Sequence, residues 1–179
     1  TAGLTTHGFP SYERSATFPS AQQILHGERP TNTKAVRYPF EPETRFQYSG
    51  GGTTISQLLL TSITGKKYDE YMQEQVLRPL GMTNSSYKQP PTDSANLATG
   101  YYKNGKPVKG KYHVYPEQAA AGLWTTPTDL AKYIIECQLA YEGKSAKVLS
   151  QPTMKKRLSP FIDSTIGLGI FIENKGDNK

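Results

Sequence analysis

Three consecutive glycines at positions 50–52 constrain this chain most, because they separate a tyrosine–serine pair from an apolar repeat. The apolar residues recur at helical spacing and are Ile55, Leu58, Leu59 and Ile63. The pattern predicts a helix over 53–64 that ends at Gly65. Since glycine adopts backbone conformations that are closed to other residues, the three glycines predict a sharp turn before that helix. Such a turn leaves the preceding side chains exposed in a cleft.

Tyr48, at the start of this stretch, has two interpretations. A phenol in a cleft can act as an acid or a base if neighbouring cations lower its pKa from about 10. The alternative is a half-buried aromatic residue beside a glycine turn that does no chemistry, and such turns are common. Taken alone, the stretch favours the second interpretation, so the rest of the chain has to decide between them.

Length and composition favour one soluble domain. A chain of 179 residues with 35% hydrophobic residues can bury a reasonable core. No apolar run is long enough to span a bilayer. A single cysteine, Cys137, excludes an internal disulfide, and its apolar helical surroundings indicate a buried thiol. No His, Cys or carboxylate cluster has metal-ligand spacing, so neither a metal nor a cofactor is expected.

The net charge of +6 raises the question of nucleic-acid binding. Lysines and tyrosines interleave over residues 101–112, which is the most suggestive region. A hairpin that turns at Asn104-Gly105 and carries solvated lysines explains the same pattern. No nucleic-acid motif accompanies the charge, so we favour the hairpin and expect no nucleic-acid partner.

Other helices are predicted from their ends. A Ser20–Gln23 capping box opens a short helix that stops at Gly27. A second helix covers about 67–77. Thr126 caps a third, with Pro127 in its first turn and Asp129 completing the box, and Gly143 closes it. The apolar stripe of this third helix consists of Leu130, Tyr133, Ile134, Cys137 and Tyr141.

The remaining patterns are shorter. Ser150 begins a short helix that contains Met154 and Leu158. Segments 97–102 and 108–114 are expected to pair as the small hairpin, and 166–172 to form one strand followed by a turn at 175–178. Residues 83–97 are polar and contain proline, which is typical of a loop.

Four short motifs stand in the same order along the chain as in one known family. They are Thr1-Ala2-Gly3-Leu4, Tyr48-Ser49-Gly50, Pro79-Leu80-Gly81-Met82 and Ala121-Gly122-Leu123-Trp124-Thr125-Thr126-Pro127-Thr128-Asp129-Leu130-Ala131. Together they resemble the serine beta-lactamase-related family, which holds class C beta-lactamases, D-alanyl-D-alanine carboxypeptidases and related esterases. The last two motifs are the most specific, and the resemblance covers essentially the whole chain.

The resemblance implies a mainly α fold with minor β. This is the helical subdomain of the beta-lactamase/transpeptidase-like α+β fold, without most of its sheet. In the family a Ser-x-x-Lys nucleophile lies before the segment that matches Thr1. A Lys-Thr-Gly strand lies after the one that ends near Ile172. We therefore expect residues 1–179 to be a single domain truncated at both ends, the central part of a longer one.

The resemblance also implies roles for individual residues. In the family the Ser-x-x-Lys serine forms an acyl-enzyme, and the lysine and the tyrosine of a Tyr-x-Asn element move its proton. By this match Tyr48 is the general base, and Ser49, Gly50 and Trp124 are the expected substrate contacts. Gly50 departs from the pattern, because the family's asparagine can hydrogen-bond both the catalytic lysine and the substrate's amide.

Substrate and compartment are also implied by the family alone. The expected partner is a small-molecule or peptidoglycan-type substrate, such as a beta-lactam, a D-Ala-D-Ala peptide or an ester. The expected location is the bacterial periplasm or the cell exterior, with no membrane span in this fragment. The oligomeric state is not indicated.

Ser85-Ser86-Tyr87-Lys88 also fits Ser-x-x-Lys. The functional motif needs a helix to bring serine and lysine to one face, whereas this tetrapeptide lies in a predicted loop and at the wrong place in the motif order. We therefore assign it a structural role. Two functions stay open: a serine hydrolase whose isolated central fragment is inactive, and a non-catalytic ligand-binding or sensing module, which Gly50 supports.

Overall fold

The structure is a computed structural model that describes residues 2–173, and helices account for most of its regular elements. The helices are α1 (Ala21–His26), α2 (Gly50–Thr64), α3 (Tyr68–Met72, continued by a π-helical turn over Gln73–Leu77), α4 (Gln118–Ala121), α5 (Pro127–Tyr141) and α6 (Gln151–Arg157). Two short strands follow, β1 (Ile166–Gly167) and β2 (Ile170–Phe171), paired antiparallel. The predicted fold class, mainly α with minor β, is confirmed.

The helix ends follow the predicted capping signals. Ser20 accepts a hydrogen bond from the Gln23 N–H, and the Gln23 side chain accepts one from the Ser20 N–H, so the box is complete. Thr126 Oγ1 accepts from the Asp129 N–H at 3.2 Å. The Asp129 carboxylate does not complete a box as predicted. It points inward and accepts from the Asn84 N–H and the Ser85 hydroxyl.

The glycines at 50–52 lie inside α2 and not before it, which corrects the predicted turn. Ser49 is the cap, and the glycines form the first helical turn. They are required by close packing: a Cβ on Gly51 would lie 2.7 Å from Val36 Cγ2, and one on Gly50 would lie 3.0 Å from Phe9 Cε2. The run therefore lets the loop at 4–9 approach the start of the helix.

The buried face of α2 is not its apolar stripe. Thr54 is fully buried and Gln57 is nearly so, together with two of the glycines. Ile55, Leu59 and Ile63 are 39%, 58% and 75% exposed. The helix prediction is confirmed, but these three residues of the apolar stripe are exposed in the described part of the chain.

In helix α5, too, residues of the predicted apolar stripe are exposed and polar residues are buried. Leu130 and Ile134 of the predicted stripe are exposed, and Cys137 is half-buried with its Sγ 3.7 Å from an Arg157 nitrogen. The buried residues of α5 include Asp129 and Glu136. Glu136 accepts hydrogen bonds from the Ser145 hydroxyl and the Lys147 N–H, so its burial is compensated.

The apolar core forms around the segment that follows α3. Leu77, Leu80 and Met82 are buried there and pack against further apolar side chains. Those partners are Val76, Tyr87, Leu123, Tyr133 and Val148. Elsewhere α1 and α4 pack against α2, and α6 packs against α5.

The predicted strand over 166–172 is two short strands joined by a turn. Ile166 pairs with Phe171 and Gly167 with Ile170, and Gly169 has a φ of 69° that suits glycine. Proposed turn residues 175–178 lie outside the described residues. The 97–114 region turns at Asn104-Gly105 as predicted, but its two arms do not form continuous strands. They are joined by a bridge between Tyr101 and Pro107 and by hydrogen bonds of Gly100 with Lys111 and Val108.

Candidate functional site

A cleft of about 770 Å³ opens at the N-terminal end of α2. One wall comes from the segment that enters α2 and from the first turns of the helix, including Tyr48, Ser49, Thr53 and Ser56. Ala119 and Ala120 of α4 form a second wall. The β1–β2 hairpin forms a third, where Phe171 packs edge-on against Phe46 at 6.2 Å between ring centroids.

Tyr48 borders this cleft because it directly precedes the helix cap. Its side chain is 47% exposed, and the His7 ring lies 4.7 Å from its ring, centroid to centroid, with the planes tilted by 42°. Within residues 2–173 no hydrogen bond fixes its hydroxyl. The phenol is therefore held by ring packing and stays accessible for proton transfer from the cleft.

Ser49 borders the cleft, but its hydroxyl is already engaged. Ser49 Oγ donates to the Thr5 carbonyl at 2.5 Å and accepts from the Gly52 N–H at 2.9 Å. A hydroxyl has one proton to donate, and here it goes to the backbone. A contact between Ser49 and substrate remains a prediction. In such a contact the Ser49 hydroxyl oxygen could only accept a hydrogen bond from the substrate.

The other cleft hydroxyls are engaged in the same way. Thr53 Oγ1 donates to the Ser49 carbonyl at 3.4 Å, and Ser56 Oγ donates to the Gly52 carbonyl at 3.3 Å. Both are the back-bonds to residue i−4 that hydroxyl side chains make in helices. Neither side chain is paired with a base in the described chain.

Gly50 is buried behind the cleft wall. Its N–H donates to the His7 carbonyl at 3.2 Å. A Cβ here would meet Phe9 Cε2 at 3.0 Å and the His7 carbonyl oxygen at 3.1 Å. The space that an asparagine side chain would need at this position is filled by the loop at 7–9.

Trp124 lies away from the cleft. Its backbone pairs with Ser86 in both directions at 2.9 Å, and its ring packs edge-on against Tyr112 at 5.3 Å. The indole N–H is buried and has no hydrogen-bond partner among the described residues. The structure therefore brings Tyr48 and Ser49 together at the cleft and places the Trp124 side chain elsewhere.

Gln57 positions the second wall of the cleft, a role that the sequence reasoning missed. Its amide N–H₂ donates to the Pro116 carbonyl at 3.2 Å, and its Oε1 accepts from the Ala119 N–H at 2.9 Å. The bidentate bond fixes α4 against α2. The sequence does show a glutamine within the apolar repeat of the predicted helix. A glutamine on the solvent-facing side of the helix would give the same pattern, so the sequence does not reveal this role.

Glu117 is the cap residue of α4 and is fully buried. Neither carboxyl oxygen has a hydrogen-bond partner within residues 2–173. Burial raises the pKa of this carboxyl from 4.5 to about 7. A carboxyl that keeps its proton up to about pH 7 therefore lies two residues before the cleft-lining Ala119.

Two kinds of feature are absent from residues 2–173. No group of three or more His, Cys, Asp or Glu side chains is arranged to hold a metal ion. No helix in this part of the chain has the length and apolar content that crossing a bilayer needs.

Comparison with known proteins gives a consistent result. The family model described as "Beta-lactamase" matches residues 4–178. A human protein named beta-lactamase-like 1 is 29% identical over 119 residues, which are 66% of this chain and 23% of that protein. Protein flp of Staphylococcus aureus strain N315 is 34% identical over 89 residues, which are 49% of this chain and 16% of that protein.

A solved structure shares the fold at low sequence identity. The penicillin binding protein from Bacillus halodurans superimposes with a TM-score of 0.69 at 19% identity, covering 97% of this chain and 56% of that one. The matched region spans less than a quarter of the length of the two curated relatives.

Proposed function

The chain belongs to the beta-lactamase family, and we propose that it is the helical central part of a serine hydrolase that works through an acyl-enzyme. The observation that supports this most is the position of Tyr48. Its phenol borders the cleft at the start of α2, and the Tyr48-Ser49-Gly50 sequence resembles the family's Tyr-x-Asn element. Tyr48 is then the group that moves the proton.

The proposed reaction has two steps. A serine hydroxyl supplied from outside this chain attacks the substrate carbonyl carbon, and the Tyr48 phenolate accepts the hydroxyl proton. The proton then passes to the leaving nitrogen or oxygen as its bond to the carbonyl carbon breaks. Water hydrolyses the resulting ester in the same manner, which releases the acid and restores the serine.

The isolated chain is proposed to be inactive. The cleft hydroxyls of Ser49, Thr53 and Ser56 each donate to a backbone carbonyl, so none is prepared as a nucleophile. Covalent catalysis needs a nucleophile with an adjacent base. The domain that performs the reaction is proposed to extend beyond residues 1–179 on both sides.

The proposed substrates are beta-lactams, D-Ala-D-Ala peptides or small esters, all of which present an acyl carbon to a serine. The proposed location is the bacterial periplasm or the cell exterior, where peptidoglycan-type substrates occur. The cleft is mixed in character, with apolar Ile55 and Phe171 beside hydroxyls, which suits a short acyl group next to a polar bond.

Labelling with a fluorescent penicillin tests the proposal. The full-length protein should become covalently labelled at a serine outside residues 1–179, and the 179-residue chain should not. Peptide mapping locates the modified residue. Labelling on a serine of this chain would refute the proposed arrangement, and an unlabelled full-length protein that also fails to turn over an ester would refute the proposed hydrolase.

A non-catalytic binding or sensing module on the same fold is the second candidate. Gly50 favours it, because the side chain that the family uses to contact lysine and substrate is missing. Saturable binding of a D-Ala-D-Ala peptide or a penicillin to the full-length protein, without acylation or turnover, would select this candidate over the first.

A further inference from the structure

The loop at 5–9 is attached to the first turn of α2 by three consecutive carbonyls. Those of Thr5, Thr6 and His7 accept from Ser49 Oγ, the Gly51 N–H and the Gly50 N–H, at 2.5, 3.1 and 3.2 Å. The first N–H groups of a helix have no partner within the helix, so the loop satisfies them. The backbone of His7 is thereby fixed relative to Tyr48.

The loop is also held in an unfavourable backbone conformation. Thr6, which directly precedes His7, has a φ of 67°. For a β-branched residue this left-handed conformation is a genuine outlier, and such residues persist only where surrounding contacts determine them. Strained residues of this kind cluster at functional sites, and this one is adjacent to the residue that packs on Tyr48.

The same loop leaves no room for an asparagine side chain at position 50. Phe9 and the His7 carbonyl fill the space beside Gly50, where the family has asparagine. Ser49 cannot replace it as a donor, because its proton goes to Thr5. The polar side chain that remains against the phenol is the imidazole of His7, with 4.7 Å between ring centroids.

We propose that His7 is a positioning residue for Tyr48, and that its imidazole is the polar group that fixes the phenol at the edge of the cleft. This rests on the proposed function of Tyr48 in proton transfer. Ring packing limits the rotation of the phenol about its side-chain bonds, and the imidazole nitrogens supply a polar group next to it.

Kinetics of the full-length protein with a short-chain ester test this. His7→Ala and His7→Phe should each lower kcat about tenfold with KM changed less than about twofold, since a misplaced proton-transfer group slows the chemical step. His26→Ala is the matched control, because His26 is an exposed histidine that does not line the cleft, and it should leave both constants unchanged. Wild-type kcat in His7→Phe would show that stacking alone suffices and would overturn the proposal.

A spectroscopic readout separates failure of this inference from failure of the hydrolase proposal. With ¹³Cζ-labelled tyrosine, the Tyr48 signal of the full-length protein, assigned through Tyr48→Phe, should change its chemical shift in His7→Ala and His7→Phe, because both remove the imidazole that packs on the ring. The signal should stay unchanged in His26→Ala. A Tyr48 signal that ignores both His7 substitutions would overturn the inference even in an active enzyme. An inactive wild-type protein would refute the hydrolase and leave this readout intact.

Discussion

Ser85 Oγ donates a hydrogen bond of 2.9 Å to the carboxylate of Asp129, 44 residues further along the chain. The same carboxylate oxygen accepts from the Asn84 N–H at 2.7 Å, and Lys132 donates to the other oxygen at 2.7 Å. These hydrogen bonds, that from Lys132 first, hold the pKa of Asp129 below its usual range. The Ser-x-x-Lys look-alike at 85–88 therefore joins the loop after Met82 to α5.

This connection predicts opposite phenotypes for two substitutions in the full-length protein. Ser85→Ala should leave ester turnover nearly unchanged and lower the free energy of unfolding by about 1–3 kcal/mol, because it removes one of the hydrogen bonds to a buried carboxylate. Tyr48→Phe should lower turnover about a hundredfold or more, because it removes the proposed base. Turnover and urea unfolding of both variants provide the measurement, and equal losses of turnover would show that the motifs have been assigned wrongly.

Glu117 predicts a pH-dependent stability. The carboxyl has a folded pKa of about 7 against an ordinary value of 4.5, so its neutral form is preferred in the folded state. The corresponding stability is fully present below pH 4.5 and is lost as the pH rises through 7. At about 1.4 kcal/mol for each pKa unit, the loss at pH 8 is on the order of 3 kcal/mol.

Glu117→Gln should remove that loss, because glutamine stays neutral. Its unfolding free energy relative to wild type should therefore rise between pH 4.5 and pH 8, by up to about 3 kcal/mol. Glu41→Gln, at an exposed position, is the control and should show no such trend. Parallel stability curves for Glu117→Gln and wild type would mean that the buried carboxyl has a partner in solution.

The close packing around Gly51 predicts that a larger residue there destabilises the fold, and that shortening Val36 reduces this loss. Gly51→Ala places a Cβ 2.7 Å from Val36 Cγ2 and 3.0 Å from Cγ1, and overpacking of this kind costs about 1–3 kcal/mol. Adding Val36→Ala removes both clashing methyl groups, so the double variant should lose less than the sum of the two single losses. Gly8→Ala, whose Cβ would meet nothing within 4 Å, is the control. Additive losses in urea unfolding would contradict the close approach.

The sequence predicted the parts of the fold that depend on neighbouring residues. Ser20, Thr126 and Ser150 cap their helices as expected, since each side chain accepts from the N–H three residues on. Tyr48 was predicted to border a cleft because a glycine turn would follow it. It does border one, but because it directly precedes the Ser49 cap of α2. The prediction of a turn at 50–52 was wrong. Glycine occurs both in turns and where segments pack closely, and the local sequence does not distinguish the two.

Longer-range features could not be predicted. Periodicity shows that α2 has an apolar stripe but not which surface covers it, and Leu59 proves 58% exposed while the polar Gln57 is buried. Gln57 is buried because its amide pairs with backbone groups of residues 116 and 119, about 60 positions away. The contact between His7 and Tyr48 likewise joins two segments that are far apart in the sequence, and no local pattern relates them.

Gly50 leads to the prediction that the full-length protein is a poor beta-lactamase. In the family pattern an asparagine at this position hydrogen-bonds the substrate's amide, and here Phe9 and the His7 carbonyl fill that space. A lost hydrogen bond to a charged or buried group costs roughly 1.5–3 kcal/mol, which is about one to two decades in rate. Esters that do not use this contact should therefore be turned over faster than nitrocefin.

Steady-state kinetics on nitrocefin, a short-chain ester and a D-Ala-D-Ala peptide provide the measurement. Gly50→Asn combined with Phe9→Ala, which removes the closest ring contact at 3.0 Å, should raise nitrocefin turnover relative to ester turnover. Phe9→Ala alone is the control, because it opens the space without supplying the amide. If wild-type protein hydrolysed nitrocefin faster than both other substrates, the missing side chain at position 50 would have no role in selecting the substrate.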